Sequence, residues 1–269
     1  MILKELSHIT VYQHSVFENF PEILQLTTSR KGGVSLPPYD RFNLGENTAD
    51  DPHAVVQNLN LLRSEISAVS YINQFILPVQ VHGDSVLIID KAFSVMNKQR
   101  QTELLSSCDA MITKLPNTFI GIRTADCVPV TVYDKHSKSV AVIHAGWRGI
   151  ENGIIEKTLR NMQIQDMTAL FCGIGPCIEA DVYEVGKEVV DKIKNVLRKK
   201  PVYFRKNNAF FLDLKKAAFY QLEGAGIPSA NIETSSFCTW KNNDAFFSYR
   251  KEKGNTGRFL TGMMIKTKV

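Results

Sequence analysis

Cysteine and histidine are both scarce in this chain, and each shortage removes a class of protein. Five cysteines (Cys108, Cys127, Cys172, Cys177 and Cys238) are scattered over 269 residues. An odd, thinly spread set is no disulfide framework and points to a reducing cytoplasm. No CxxC pair exists, so the four-ligand set of a structural zinc site has no source. With six histidines, of which His8, His14, His53 and His136 stand in unpromising contexts, a multinuclear copper cluster cannot be assembled. No apolar run approaches the roughly 18 residues of a membrane span, so no membrane partner is expected. Met1-Ile2-Leu3-Lys4-Glu5-Leu6-Ser7-His8 lacks a basic head, a long apolar segment and a cleavage site, and reads as an untargeted mature terminus. The net charge of +5 is modest. The densest basic stretch, from Lys192 through Lys194, Arg198, Lys199 and Lys200 to Arg205 and Lys206, reads as a solvated helix face and loop, and no nucleic-acid partner is expected.

What is present is a substantial apolar fraction, 44% of residues against 22% charged, without repeats or a Pro/Gly/Ser-rich linker. The expectation is therefore one domain over 1–269. Strand patterns fall on Phe75–Val81, Ser85–Asp90, Ala110–Thr113, Thr118–Arg123, Val128–Tyr133, Ser139–His144, Leu170–Gly173, Ile232–Ser235, Ala245–Tyr249 and Arg258–Ile265. Helical patterns follow an Asp50/Asp51 cap with Pro52 in the first turn, then Gly149, and then span Val185–Arg198 and Asp213–Gly224. The mix predicts an α/β (α+β mixed) single domain with a large mixed β-sheet core flanked by helices.

Three motifs end or interrupt the strand-like runs: Gln80-Val81-His82-Gly83, Thr124-Ala125-Asp126-Cys127 and His144-Ala145-Gly146-Trp147-Arg148-Gly149. Singly, His82 reads as a surface-turn histidine and Cys127 as a small buried hydrophobe. Together, two imidazoles and a thiol at strand ends match the protein's share of a catalytic zinc site, which keeps its fourth position open. Copper is the alternative metal, provided a weak axial Met is at hand. A metal-free alternative makes Cys127 a nucleophile and His144 its base, in a thiol hydrolase or deamidase, although such a pair needs no second imidazole.

These motifs, in order with Thr28-Ser29-Arg30-Lys31-Gly32-Gly33-Val34-Ser35, Asn43-Leu44-Gly45, Cys108-Asp109-Ala110, Gly173-Ile174-Gly175-Pro176-Cys177-Ile178, Phe247-Ser248-Tyr249-Arg250 and Thr256-Gly257-Arg258, resemble the YfiH-type family. Its members were long labelled polyphenol oxidases or laccase-domain proteins and are now regarded as purine nucleoside phosphorylases. The resemblance implies His82, Cys127 and His144 as zinc ligands and a fold similar to toxin-type cysteine deamidases. It also implies phosphorolysis of adenosine, inosine and S-methyl-5'-thioadenosine to free base and (methylthio)ribose 1-phosphate, with adenosine deaminase activity.

Zinc held by two neutral imidazoles and a thiolate keeps about one positive charge and lowers the pKa of water toward roughly 7, which suits deamination. Phosphorolysis needs a phosphate holder. Arg30 with Gly32 and Gly33 offers guanidinium and close backbone amides, and Arg250 and Arg148 offer further guanidinium groups. Asp126 and Arg148 are the expected catalytic groups, Asp126 either as acid/base, as an orienter of a histidine, or as the cap of its turn. Trp147 either stacks on a purine or packs in the core. Cys172 and Cys177 pack around the turn at Gly175-Pro176. The expected partners are purine nucleosides and inorganic phosphate, with the chain a monomer or weak oligomer.

Overall fold

A computed structural model of the chain describes residues 1–197 and 200–267. Among the described residues the strands form two six-stranded sheets and one of three strands. Across the first sheet lie Ile2–Glu5 (β1), Thr10–Gln13 (β2), Ile23–Thr28 (β3), Phe259–Ile265 (β15), Thr118–Thr124 (β7) and Gln74–Ile76 (β4). Across the second lie Ile232–Thr234 (β14), Leu170–Ile174 (β10), Val128–Asp134 (β8), Ser139–Ala145 (β9), Ala110–Thr113 (β6) and Val86–Ile89 (β5). Glu184–Val185 (β11), Ala209–Leu212 (β13) and Tyr203–Lys206 (β12) make the small one. Both large sheets are mixed: β4–β7, β10–β14 and β5–β6 pair parallel, the remaining neighbours antiparallel. The helices are Pro52–Val69 (α1), Lys91–Val95 (α2), Lys98–Leu105 (α3), Trp147–Glu151 (α4), Ile154–Asn161 (α5), Lys187–Val196 (α6) and Leu214–Gly224 (α7).

Four layers result, and β9 shows how. Val140 and Val142 pack toward Ile120, Ile122 and Met263 of the first sheet. Ala141 and Ile143 on the opposite face meet Ile150, Ile154 and Leu159 of α4 and α5 and Leu222 of α7. Burial on both faces is why this strand reads as an unbroken apolar run instead of alternating. On the far side of the first sheet, Leu62 and Ile66 of α1 cover Phe119, Leu260 and Met264. The fold is thus a mixed α/β single domain, as the pattern predicts, with two stacked sheets where one is expected. No helix among the described residues is long and apolar enough to cross a membrane.

The helix starts follow their caps. Asp51 accepts the His53 N–H ahead of Pro52, and Asp213 accepts the Lys216 N–H ahead of α7. The helical segment after Gly149 is two helices, because Gly153 between them takes φ 73°. Glu184–Val185 is a strand, so the third expected helix begins later, and its expected end at Arg198 lies outside the described residues, as does Lys199. Two strand expectations need correcting. Ala245–Tyr249 is a turn; its phenylalanines are apolar because Phe246 and Phe247 fill a core with Tyr12 and Phe259. Phe75–Val81 is a strand only as far as Ile76, after which Pro78 has no N–H to give a ladder.

Candidate metal centre

His82 rides on the extended segment beyond β4, and Gln80 holds that segment against the end of β7. Its side-chain amide donates to the Arg123 carbonyl and accepts the Arg123 N–H, both at 2.8 Å. A side chain thereby makes the paired bonds that a neighbouring strand would make. His82 itself has φ 59°, a left-handed conformation uncommon outside glycine. What holds it there is Asp109, just ahead of β6. Its carboxylate accepts the N–H groups of Val81, His82 and Gly83 at 3.2, 3.0 and 2.8 Å.

The same carboxylate reaches the second ligand candidate. His144, near the end of β9, places Nδ1 2.8 Å from Asp109 Oδ1. Asp109 is fully buried. Burial would raise its pKa, but the bonds from His144 and the amides outweigh it and hold the group below the ordinary carboxylate range. An ionised Asp109 needs a proton on Nδ1, which leaves the lone pair of His144 on Nε2, the nitrogen available to a metal.

Cys127 comes from the turn where the chain leaves β7 in the first sheet for β8 in the second. Gly146 gives its sulfur room: a Cβ there would stand 3.0 Å from Cys127 Sγ. The candidate ligand atoms of His82, Cys127 and His144 all lie within 4.8 Å of one another. Burial would raise the Cys127 thiol, but His144 and His82 outweigh it and bring the pKa down to about 6. Burial would lower His144, but the thiolate and Asp109 outweigh it and raise it to about 9. Each partner thus favours the charged form of the other, thiolate beside imidazolium, and a cation would replace the imidazolium proton. Two imidazoles and an easily formed thiolate fit zinc. The axial Met of a mononuclear copper centre has no candidate among the described residues lining the cavity.

A cavity of about 510 Å³ opens over the three side chains. Arg123, Arg148, Arg250 and Arg258 line it, with Trp147, Tyr183, Tyr249 and the turn at Gly45-Glu46. Arg148 lies 4.5 Å over the Trp147 ring and Arg250 5.0 Å over that of Tyr183. Asp126 lines the cavity as well, but its oxygens are occupied. Thr239 and Ser248 hydroxyls donate to Oδ1 at 2.6 and 2.8 Å, and the Arg250 N–H to Oδ2 at 2.6 Å. The position beside His144 belongs to Asp109.

The structure does not bring Arg30, Gly32 and Gly33 to this cavity. Arg30 is buried, and its donors go to Asp40, Glu252 and the Asn243 carbonyl while the guanidinium stacks on Phe247. Gly32 and Gly33 have φ 87° and 72°, and an added Cβ would strike the His8 carbonyl and the Asn58 side chain. Their small size lets Gly32 pack on the N-terminal segment and Gly33 on α1 and the loop at Arg41-Phe42. Cys172 and Cys177 are buried in the core beneath the helices and do not line the cavity.

Sequence reasoning gave no role to Asp109, Arg123, Tyr183 or Tyr249. For Asp109 and Arg123 a signal existed: each is a charge abutting an apolar strand, and a buried charge demands a partner.

A family model described as multi-copper polyphenol oxidoreductase laccase matches residues 24–266. A purine nucleoside phosphorylase of Bacteroides thetaiotaomicron is 35% identical over 253 residues, 92% of this chain and 93% of that protein. Adenosine deaminase RL5, from an unknown prokaryotic organism, is 33% identical over 233 residues, 85% of this chain and 88% of that protein. Among solved structures, YlmD from Geobacillus stearothermophilus matches with a TM-score of 0.87 at 26% identity, over 98% of each chain.

Proposed function

This chain belongs to the YfiH-type family, that of the laccase-described model, and on that premise we propose a zinc-dependent purine nucleoside phosphorylase with adenosine deaminase activity. Its substrates are adenosine, inosine and S-methyl-5'-thioadenosine with inorganic phosphate. Its products are free base and (methylthio)ribose 1-phosphate. Residues 1–269 act as one functional unit, and five unpaired cysteines support a cytoplasmic setting.

The observation that carries the reading is the convergence of His82, Cys127 and His144 at the floor of a cavity walled by arginines and aromatic rings. These three would hold the ion, which when bound supplies Lewis-acid polarisation of an oxygen atom. Asp109 fixes the His144 ring and the His82 loop, so both nitrogens are aimed before substrate arrives. Tyr249, which is exposed, offers a flat face to a purine, whereas the Trp147 ring already carries Arg148 and Lys192. Arg148 and Arg250 at the same wall donate to ribose hydroxyls or to charge that develops on the leaving base. Asp126 enters as a positioning group, because three donors already hold its carboxylate.

In phosphorolysis a phosphate oxygen bonds to C1′ as the C1′–N9 bond breaks, and the base leaves with the electron pair. The test is conversion of inosine and phosphate into hypoxanthine and ribose 1-phosphate by zinc-loaded protein. His82→Ala should lose both metal and turnover. Full zinc stoichiometry in that variant would remove His82 from the ligand set.

One observation favours a second reading. Asp109, His144 and Cys127 form an acid–imidazole–thiol array with an acidic thiol, the arrangement of a metal-free hydrolase or deamidase. Activity that survives chelation but not alkylation would decide for it.

A further inference from the structure

One charge in the cavity wall has no part in that reading. Arg123, at the end of β7, has a side chain only 9% exposed, and its partner Glu46 is 54% exposed. The guanidinium donates to Glu46 through Nη2 and reaches the Pro78 carbonyl through Nη1 only at 3.4 Å. Its Nε is buried with no acceptor among the described residues. A buried planar fork of five donors therefore rests on one movable carboxylate and one stretched contact, an under-satisfied state for so costly a group.

Arg258 stands next to the same turn. A Cβ on Gly45 would come within 2.6 Å of Arg258 Cγ, so the Gly45-Glu46 turn leans on one arginine and pairs with the other. Arg258 spends Nη1 on the carbonyls of Thr256 and Gly257. Burial works against the charge of both arginines. Arg148 and Arg250 differ in exposure: both are exposed, whereas Arg123 and Arg258, the latter 5.5 Å over the Tyr249 ring, are half-buried.

We propose that Arg123 and Arg258 form the subsite for the phosphate co-substrate, and that Glu46 occupies it as a placeholder which swings into solvent when phosphate enters. The proposal rests on the phosphorylase reading. A phosphate dianion brings more charge and more acceptor oxygens than one carboxylate, and its oxygens match the guanidinium fork. Glu46 suits a placeholder because it is half exposed, sits on a turn, and meets the cavity through this single ion pair.

The test is phosphorolysis of inosine at varied phosphate, together with calorimetric titration of zinc-loaded protein with inorganic phosphate alone. Arg123→Met should raise the phosphate KM by about tenfold or more, the scale of one lost charge-assisted contact, while the inosine KM stays within about twofold. Glu46→Gln should lower the phosphate KM and tighten phosphate binding by severalfold. An unchanged phosphate KM in Arg123→Met, or a rise found in Arg148→Met instead, overturns the assignment. Weaker phosphate binding in Glu46→Gln overturns the placeholder. If Arg123→Met does not fold, the exposed Glu46 variant still decides. If wild-type protein cleaves no nucleoside, the phosphorylase reading fails, and calorimetry still judges the anion subsite on its own.

Discussion

Asp109 is the residue on which two of the three candidate ligands depend. Three amides of the His82 loop and the His144 ring share its carboxylate. Asp109→Asn keeps the shape but loses the charge, and zinc affinity should fall about 10- to 100-fold in a competition titration against a chromophoric chelator. Gly146→Ala presses a methyl against the Cys127 sulfur and should weaken the metal in the same assay. In metal-stripped protein, alkylation of Cys127 should reach half its maximal rate near pH 6, where the other four cysteines, all buried, stay inert. A midpoint at the ordinary thiol value of about 8.5 would contradict the imidazolium pairing. At this scale the sequence is legible where chemistry is borne by rare residue types. His82, Cys127 and His144 stand out as donors, whereas Asp109 and Arg123 act through contacts made by folding. Arg30 shows the opposite failure: a guanidinium beside two glycines has the look of an anion holder, yet every direction it points is filled by its own chain.

Elements announce themselves when their signals are local. Asp51-Pro52 and Asp213 start helices because a carboxylate caps free amides, and both are readable without coordinates. The strands β6 through β9 are readable because they are buried on both faces. The first three strands escape notice, β1 because it is mostly exposed and short. The Gln80 clamp escapes for another reason, since a side chain in place of a ladder leaves no periodicity. The α4–α5 junction depends on a left-handed Gly153. Gly153→Ala should cost about 1–2 kcal/mol, read from the urea midpoint of unfolding. Because α4 carries Trp147 and Arg148, the same variant should raise the nucleoside KM if the junction sets their position.

At the scale of the whole molecule the two large sheets are tied by Glu22, just before β3. It accepts from Tyr133 of β8 at 2.7 Å and from Lys138 at 2.8 Å. Burial would raise Glu22, but the bonds from Lys138 and Tyr133 outweigh it and take its pKa from 4.5 to about 2. A depressed carboxylate stabilises the fold fully above its unfolded pKa and ceases to as pH falls through the folded one. Stability should therefore decline between pH 4.5 and about 2, and Glu22→Gln should flatten that limb in acid titrations followed by circular dichroism. A two-sheet stack is invisible in the chain's patterning, because which face of a strand meets helix and which meets sheet depends on partners distant in sequence. The path from β7 to β8 crosses between those sheets and carries Cys127, while His144 belongs to the second sheet alone. An ion gripped by both would be a rivet through the sandwich. Sliding one layer by a single residue, about 3.3 Å, stretches the grip beyond any coordination bond. Exchange of a bound zinc for cobalt would then act as a clock for slippage between the layers.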